Sequence, residues 1–170
     1  MHRKKILGVS GSLRENASNT IIVEAISDMI GDRAEYIIYK DLARLPHFDG
    51  SDENIDSVIR WRKLIAEADG VIICSPEYAF GMPGSLKNAL DWTVGSGEMT
   101  DKPVAYITAS LSGERAHESL RHVLSALSTK KINGGDLLIP FIRAKIKDGI
   151  IQDDARESIN KVVNALLDGL

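Results

Sequence analysis

Gly70-Val71-Ile72-Ile73-Cys74-Ser75 is a nearly unbroken apolar run bounded by a glycine and a serine. A strand with one face in water alternates polar and apolar residues, whereas a strand covered on both faces has no polar side, so this run reads as a central parallel strand. The residues before it fit the same picture. Lys5-Ile6-Leu7-Gly8-Val9 is a second short apolar run that stops at a Ser/Gly turn, and Ile22, Ala25, Ile26 and Met29 then recur at helical spacing as far as Gly31. Residues 34–39, containing Tyr36-Ile37-Ile38-Tyr39, read as another strand. Leu45 to Gly50 is irregular, and Val58, Trp61, Ile65 and Ala68 form one helical stripe that assigns Trp61 to a core or an interface.

The alternation continues on the carboxyl side. A loop at 76–84 leads into a short helix carrying Leu86, Ala89 and Leu90, and Val104 to Ala109 is a fourth strand. After the polar turn Ser110-Leu111-Ser112-Gly113-Glu114, a helix is marked by Leu120, Val123, Leu124 and Leu127. Asp136 to Ile139 is expected as the fifth strand, and Ala155, Ile159, Val162 and Leu166 mark the last helix. Strands alternating with helices predict an α/β fold, a doubly wound five-stranded parallel sheet with helices on both faces. These units use nearly all 170 residues, so one domain spanning 1–170 is expected.

Composition narrows the function. A 44% hydrophobic and 26% charged chain has enough apolar mass for a packed core. Its 21 basic and 24 acidic residues leave a formal net charge of −3, without the basic excess that nucleic acid demands, so no DNA or RNA partner is expected. The single cysteine, Cys74, excludes an internal disulfide and reads as an inert core thiol. His117 and His122 are off a common helix face, and His2 and His47 have no ligand-like neighbours, so no metal site is expected. The apolar part of Met1 to Val9 is too short for an export signal and no stretch has membrane-spanning length, which predicts a cytoplasmic protein without a membrane partner.

In open α/β sheets ligands bind outside the carboxyl ends of the strands, which directs attention to the loops after strands one, three and four. The first runs from Ser10 through Gly11, Ser12, Arg14, Ser18 and Asn19 to Thr20, just ahead of a helix. Hydroxyls, backbone N–H groups, a helix amino terminus and a guanidinium are what a phosphate monoester requires. The plainer alternative is that Ser18 or Asn19 merely caps the helix. The loop has no Gly-Lys-Ser/Thr, and Gly8 and Gly11 are misplaced for Gly-x-Gly-x-x-Gly, so neither ATP nor tightly bound NAD is indicated. A mononucleotide fits better, and flavodoxin-like sheets of order 2-1-3-4-5 hold FMN at this position. In the second loop Pro76, Tyr78, Phe80 and Met82 supply flat or apolar surface for a flavin ring, unless they form a plain turn over the core. Ser110, Ser112 and Gly113 approach from the other side, unless that turn is simply solvated.

Gly11-Ser12-Leu13-Arg14 with Ser18-Asn19, then Ser75-Pro76-Glu77-Tyr78, then Pro83-Gly84-Ser85-Leu86-Lys87-Asn88-Ala89-Leu90-Asp91-Trp92 together resemble the NADPH-dependent FMN reductase family, over roughly residues 4 to 170. The resemblance implies a flavodoxin-like fold, non-covalently bound FMN, and a reaction like those of its quinone, azo-dye and chromate reductases. It implies that Gly11, Ser12, Arg14, Ser18, Asn19 and Thr20 surround the FMN phosphate. It places Pro76, Glu77, Tyr78, Ala79 and Phe80 along the ring, with Ser110, Ser112 and Gly113 opposite. Glu77 is alternatively a supporting or interface residue. Ala79 departs from the family's usual asparagine, and Ser112-Gly113 from a frequent Gly-Gly.

The expected function is therefore FMN-dependent oxidoreduction, with NADPH or NADH as donor and a quinone, azo compound, free flavin or metal oxyanion as small-molecule acceptor. The flavin carries the chemistry, so no catalytic side chain is assigned. The alternative is a non-enzymatic electron carrier of the flavodoxin type that docks on protein partners, against which the modest charge argues. A receiver-type module needs acids where Ser10 and Ser75 stand, and a low-molecular-weight phosphatase needs an arginine where Phe80 stands. The resemblance further implies a homodimer or homotetramer with flavin sites near a subunit interface, for which Tyr78, Phe80, Met82 and Trp92 are candidates unless they pack in the core.

Overall fold

The computed structural model describes residues 3–51 and 54–170, so His2 lies outside the described residues. In chain order the elements are β1 (Lys5–Ser10), α1 (Ser18–Ile30), β2 (Glu35–Tyr39), α2 (Asp56–Glu67), β3 (Gly70–Ser75) and α3 (Gly84–Asp91). They continue with β4 (Pro103–Ala109), α4 (Glu114–Ala126), β5 (Lys130–Ile139), the two-residue strands β6 (Ile146–Lys147) and β7 (Ile150–Ile151), and α5 (Asp153–Asp168). The parallel sheet has the order β2-β1-β3-β4-β5. Strand order reverses between β1 and β3, and the register Ser10↔Cys74, Ser75↔Thr108 brings their carboxyl ends to one level. That is where a doubly wound sheet opens a crevice.

Every residue of β3 is buried, as its continuous apolarity predicts. Val71 and Ile73 point into the core under α2, α3 and α4, while Ile72 and Cys74 point into the one under α1 and α5. Gly8 of β1 marks a close approach, because a Cβ there would lie 2.1 Å from the Tyr36 hydroxyl, which donates 2.9 Å to the Val23 carbonyl. Trp61 is a core residue with its indole N–H donating 2.8 Å to the Ala89 carbonyl. Trp92, an interface candidate by sequence, is also core: it is 1% exposed, donates 2.8 Å to the Pro46 carbonyl and packs edge-on against Phe48. Met82 is half-buried against the same core.

Two elements differ from expectation. β5 begins at Lys130 rather than Asp136, because Lys130 and Lys131 pair with Pro103 and Val104 before a register shift carries the chain past Asn133-Gly134-Gly135. A bulge containing glycines breaks the apolar alternation by which strands are read. The β6–β7 hairpin turns at Asp148-Gly149, both at positive φ, the Asp-Gly chemistry of a tight hairpin. Among the described residues no helix is long and apolar enough to cross a membrane.

Candidate functional site

A cleft of about 810 Å³ opens at the carboxyl ends of the strands, a size that suits a mononucleotide-scale ligand. Of the candidate residues named from the sequence, Arg14, Ser18, Asn19, Pro76, Glu77, Tyr78 and Ser110 line it. Gly11, Ser12, Thr20, Ala79, Phe80, Ser112 and Gly113 are not among the lining residues; they belong to the loops that shape it.

The loop between β1 and α1 is tied down by its own hydroxyls. The Ser12 N–H donates 3.3 Å to Ser10 Oγ, the Arg14 N–H donates 3.2 Å to Ser12 Oγ, and the Ser10 and Thr20 hydroxyls meet at 3.2 Å. The Gly11 N–H donates 2.8 Å to the Cys74 carbonyl, which keeps the loop against β3. The residue capping α1 is Ala17, in extended conformation, so neither Ser18 nor Asn19 is the cap. The first turn of a helix leaves N–H groups without intrahelical partners, and here that turn borders the cleft. The Asn19 side chain is turned inward. Its amide donates 3.1 Å to the Ala109 carbonyl and 3.4 Å to Cys74 Sγ, so toward a phosphate it offers backbone only. Burial pushes the Cys74 thiol up to about 12, which keeps it protonated and inert, as expected.

The loop after β3 closes on itself. Tyr78 and Gly81 exchange backbone hydrogen bonds of 2.9 and 3.0 Å around Ala79 and Phe80, whose φ values are 48° and 61°. Two positive φ values define a tight turn that favours Asn-Gly. Ala79 therefore occupies a conformation that asparagine, the residue the resemblance leads one to expect here, tolerates better. Tyr78 is 46% exposed and Phe80 is 80% exposed.

Glu77 lines the cleft, yet its carboxylate faces helix α4. It accepts 2.9 Å from the Ala116 N–H and 3.1 Å from the Ser112 hydroxyl, while the Glu77 N–H donates 3.2 Å to Ser110 Oγ. Burial pushes this carboxyl up, but the Ala116 N–H, the Ser112 hydroxyl and the Gly113 and Arg115 N–H groups outweigh it and hold it below its ordinary value. A negative charge at a helix amino terminus is favourable, so Glu77 buckles the loops after β3 and β4 together. Gly113 sits at φ 102°, and a Cβ there would lie 2.9 Å from Leu138 Cδ1, so this position needs glycine on both counts.

The cleft also has a wall that the sequence reading does not include. Phe141, Ile142, Arg143, Ala144 and Ile146, after β5, line it, as do Asn16, Ala17, Ile21, Ala109 and Leu111. The carboxyl-end rule applies equally to the fifth strand and would have found this segment. Asn16 is at φ 56°, a left-handed position that asparagine tolerates.

This arrangement can be set beside known proteins. The chain is 30% identical over 166 residues to the NADPH azoreductase of Bacillus sp. (strain OY1-2), covering 95% of this chain and 90% of that one. It is 27% identical over 151 residues to the quinone reductase of Escherichia coli (strain K12), covering 84% and 80%. In fold it is similar to the FerB flavoenzyme NAD(P)H:(acceptor) oxidoreductase from Paracoccus denitrificans, with a TM-score of 0.85 at 24% identity over 97% of this chain and 96% of that one. The profile of NADPH-dependent FMN reductases matches residues 4–144, and the chain belongs to that family.

Proposed function

We propose that this protein binds FMN in the cleft and passes reducing equivalents from NADPH or NADH to a small acceptor such as a quinone, an azo compound, free flavin or a metal oxyanion. The observation that carries the reading is the cleft itself, which joins Arg14 and the amino-terminal turn of α1 to a slot lined by Pro76, Tyr78 and Ser110. The cationic end suits a phosphate monoester and the slot suits a flat ring. FMN, when bound, would supply the redox chemistry that links a nicotinamide donor to the acceptor.

The protein's part is binding and orientation. Arg14 and the N–H groups of the first turn of α1 hold the phosphate, with Ser18 beside them, while Ser10, Ser12 and Thr20 fix the loop in shape. Pro76 and Tyr78 face the ring, and Glu77 supports it by fastening the neighbouring loop to α4. Gly11, Ala79, Phe80, Ser112 and Gly113 act through the backbone paths they give these loops. The whole chain acts as one domain in the cytoplasm. Exposed Tyr78 and Phe80 beside the cleft suit a homodimeric or homotetrameric contact, and a monomeric mass in light scattering would remove that part.

The test is flavin uptake. Purified protein should take up one FMN and bind riboflavin, which lacks the phosphate, far more weakly. Arg14→Ala should weaken FMN about 10- to 150-fold, the range for a hydrogen bond to a charged group. A protein that takes up no FMN would refute the reading.

A further inference from the structure

We infer that Arg143 is a second phosphate-binding guanidinium of the cleft, facing the same ligand space as Arg14. The inference rests on the reading that the cleft holds FMN and adds a residue to it. Arg143 lies in a short 3-10 turn, Ile142–Lys145, directly after β5.

That turn is held in place. The Phe141 N–H donates 3.0 Å to the Leu111 carbonyl and the Ile142 N–H donates 3.1 Å to the Ser110 carbonyl, stitching the segment to the loop after β4. Ser110 returns the link by donating 3.2 Å to the Ile139 carbonyl, and the buried Ile142 side chain anchors the turn in the core. Beyond it the Gln152 N–H donates 2.8 Å to the Lys145 carbonyl, closing the β6–β7 hairpin behind the turn. Arg143 therefore projects from a fixed backbone, and a binding group on a fixed backbone loses less entropy when it engages a ligand.

Charge supplies the rest. Lys145 is paired with Asp154 and is spent. Among the described residues the Arg143 guanidinium has no ion-pair or hydrogen-bond partner, and Glu77, the acid in the cleft lining, is committed to α4. Two arginines thus line one cleft whose carboxylate is already occupied. A phosphate monoester carries about −1.5 to −2 charge near neutral pH, more than one arginine neutralises. The planar fork of a guanidinium matches phosphate oxygens, which makes a phosphoryl group the fitting occupant. Two sources can present it: the 5′-phosphate of FMN or a phosphate of the nicotinamide donor.

Equilibrium titrations separate the two. Dissociation constants for FMN and riboflavin are measured by flavin fluorescence on wild-type, Arg143→Ala and Arg143→Gln proteins, and those for NADP+ and NAD+ on the FMN-loaded forms. A loss of about 10- to 100-fold for FMN, with riboflavin unchanged, supports the inference and assigns Arg143 to the cofactor phosphate. FMN unchanged and NADP+ weakened by a similar factor supports it and assigns Arg143 to the donor. FMN and NADP+ both unchanged overturns it, and so does a parallel loss for FMN and riboflavin, which would mark a distorted cleft. Arg143→Gln keeps the stem and hydrogen-bonding tip, so a loss seen in both variants reports the charge rather than the fold. Wild-type protein that binds no flavin would refute the proposed function itself; wild-type binding with unaffected variants refutes only the role of Arg143.

Discussion

β3 and the turn that follows it are consecutive in the chain and opposite in character. Gly70 to Ser75 are wholly buried and hydrogen-bonded on both sides by β1 and β4. Tyr78 to Phe80 stand in solvent, with two non-glycine residues at positive φ. Burial of apolar surface makes the strand stable, while the turn spends some of that stability to hold a tight, exposed shape beside the cleft. Local strain on a rigid support is common where a ligand is to be gripped. Truncating a side chain of β3 should therefore destabilise, whereas relieving a left-handed position of the turn should stabilise.

The largest effect belongs to the strand. Ile73→Ala removes a side chain packed in the core under α2, α3 and α4 and should cost about 2–5 kcal/mol in chemical denaturation. A loss below about 1 kcal/mol would show that β3 is not the centre of the sheet. Gly113→Ala comes next, at about 1–3 kcal/mol, because it forces a Cβ into a left-handed position against Leu138. The same melts should show the opposite sign in the turn, where Ala79→Gly relieves a left-handed alanine and should add about 1 kcal/mol. If Ala79→Gly destabilises, the turn is not strained and the contrast fails.

The smallest effect is tied to pH. Glu77 titrates below its ordinary value in the folded protein, so its contribution is complete above an unfolded carboxyl value of about 4.3 and fades as pH falls through that point toward the folded value. Thermal melts of wild type and Glu77→Gln should differ at neutral pH and converge in acid. A difference constant down to pH 3 would mean that the carboxylate on α4 is not ionised in the way described.

The contrast also explains what the sequence discloses. β3 is legible because covering both faces of a strand forces every position to be apolar, and the helix stripe of Ala155, Ile159, Val162 and Leu166 is legible because all four are buried. The loops after β1, β3 and β4 stand out by their glycines, prolines and hydroxyls, and residues of all three line the cleft. The side-chain partners of Asn19 are not legible, since capping and phosphate contact are both local readings, whereas Cys74 and Ala109 stand 55 and 90 residues away. The sequence leaves Trp92 open between interface and core, because its burial depends on Pro46 and Phe48, which nothing near it in sequence announces. The start of β5 hides behind its glycine bulge. Phe141, Ile142, Arg143, Ala144 and Ile146 carry no motif and join the cleft because β5 lies beside β4.

The most direct test of the central claim is anaerobic mixing of the FMN-loaded protein with NADPH or NADH while the flavin absorbance is followed. Rapid bleaching, with colour returning on addition of a quinone, is the predicted result. A yellow protein that neither nicotinamide reduces would contradict the reductase and point to an electron carrier instead.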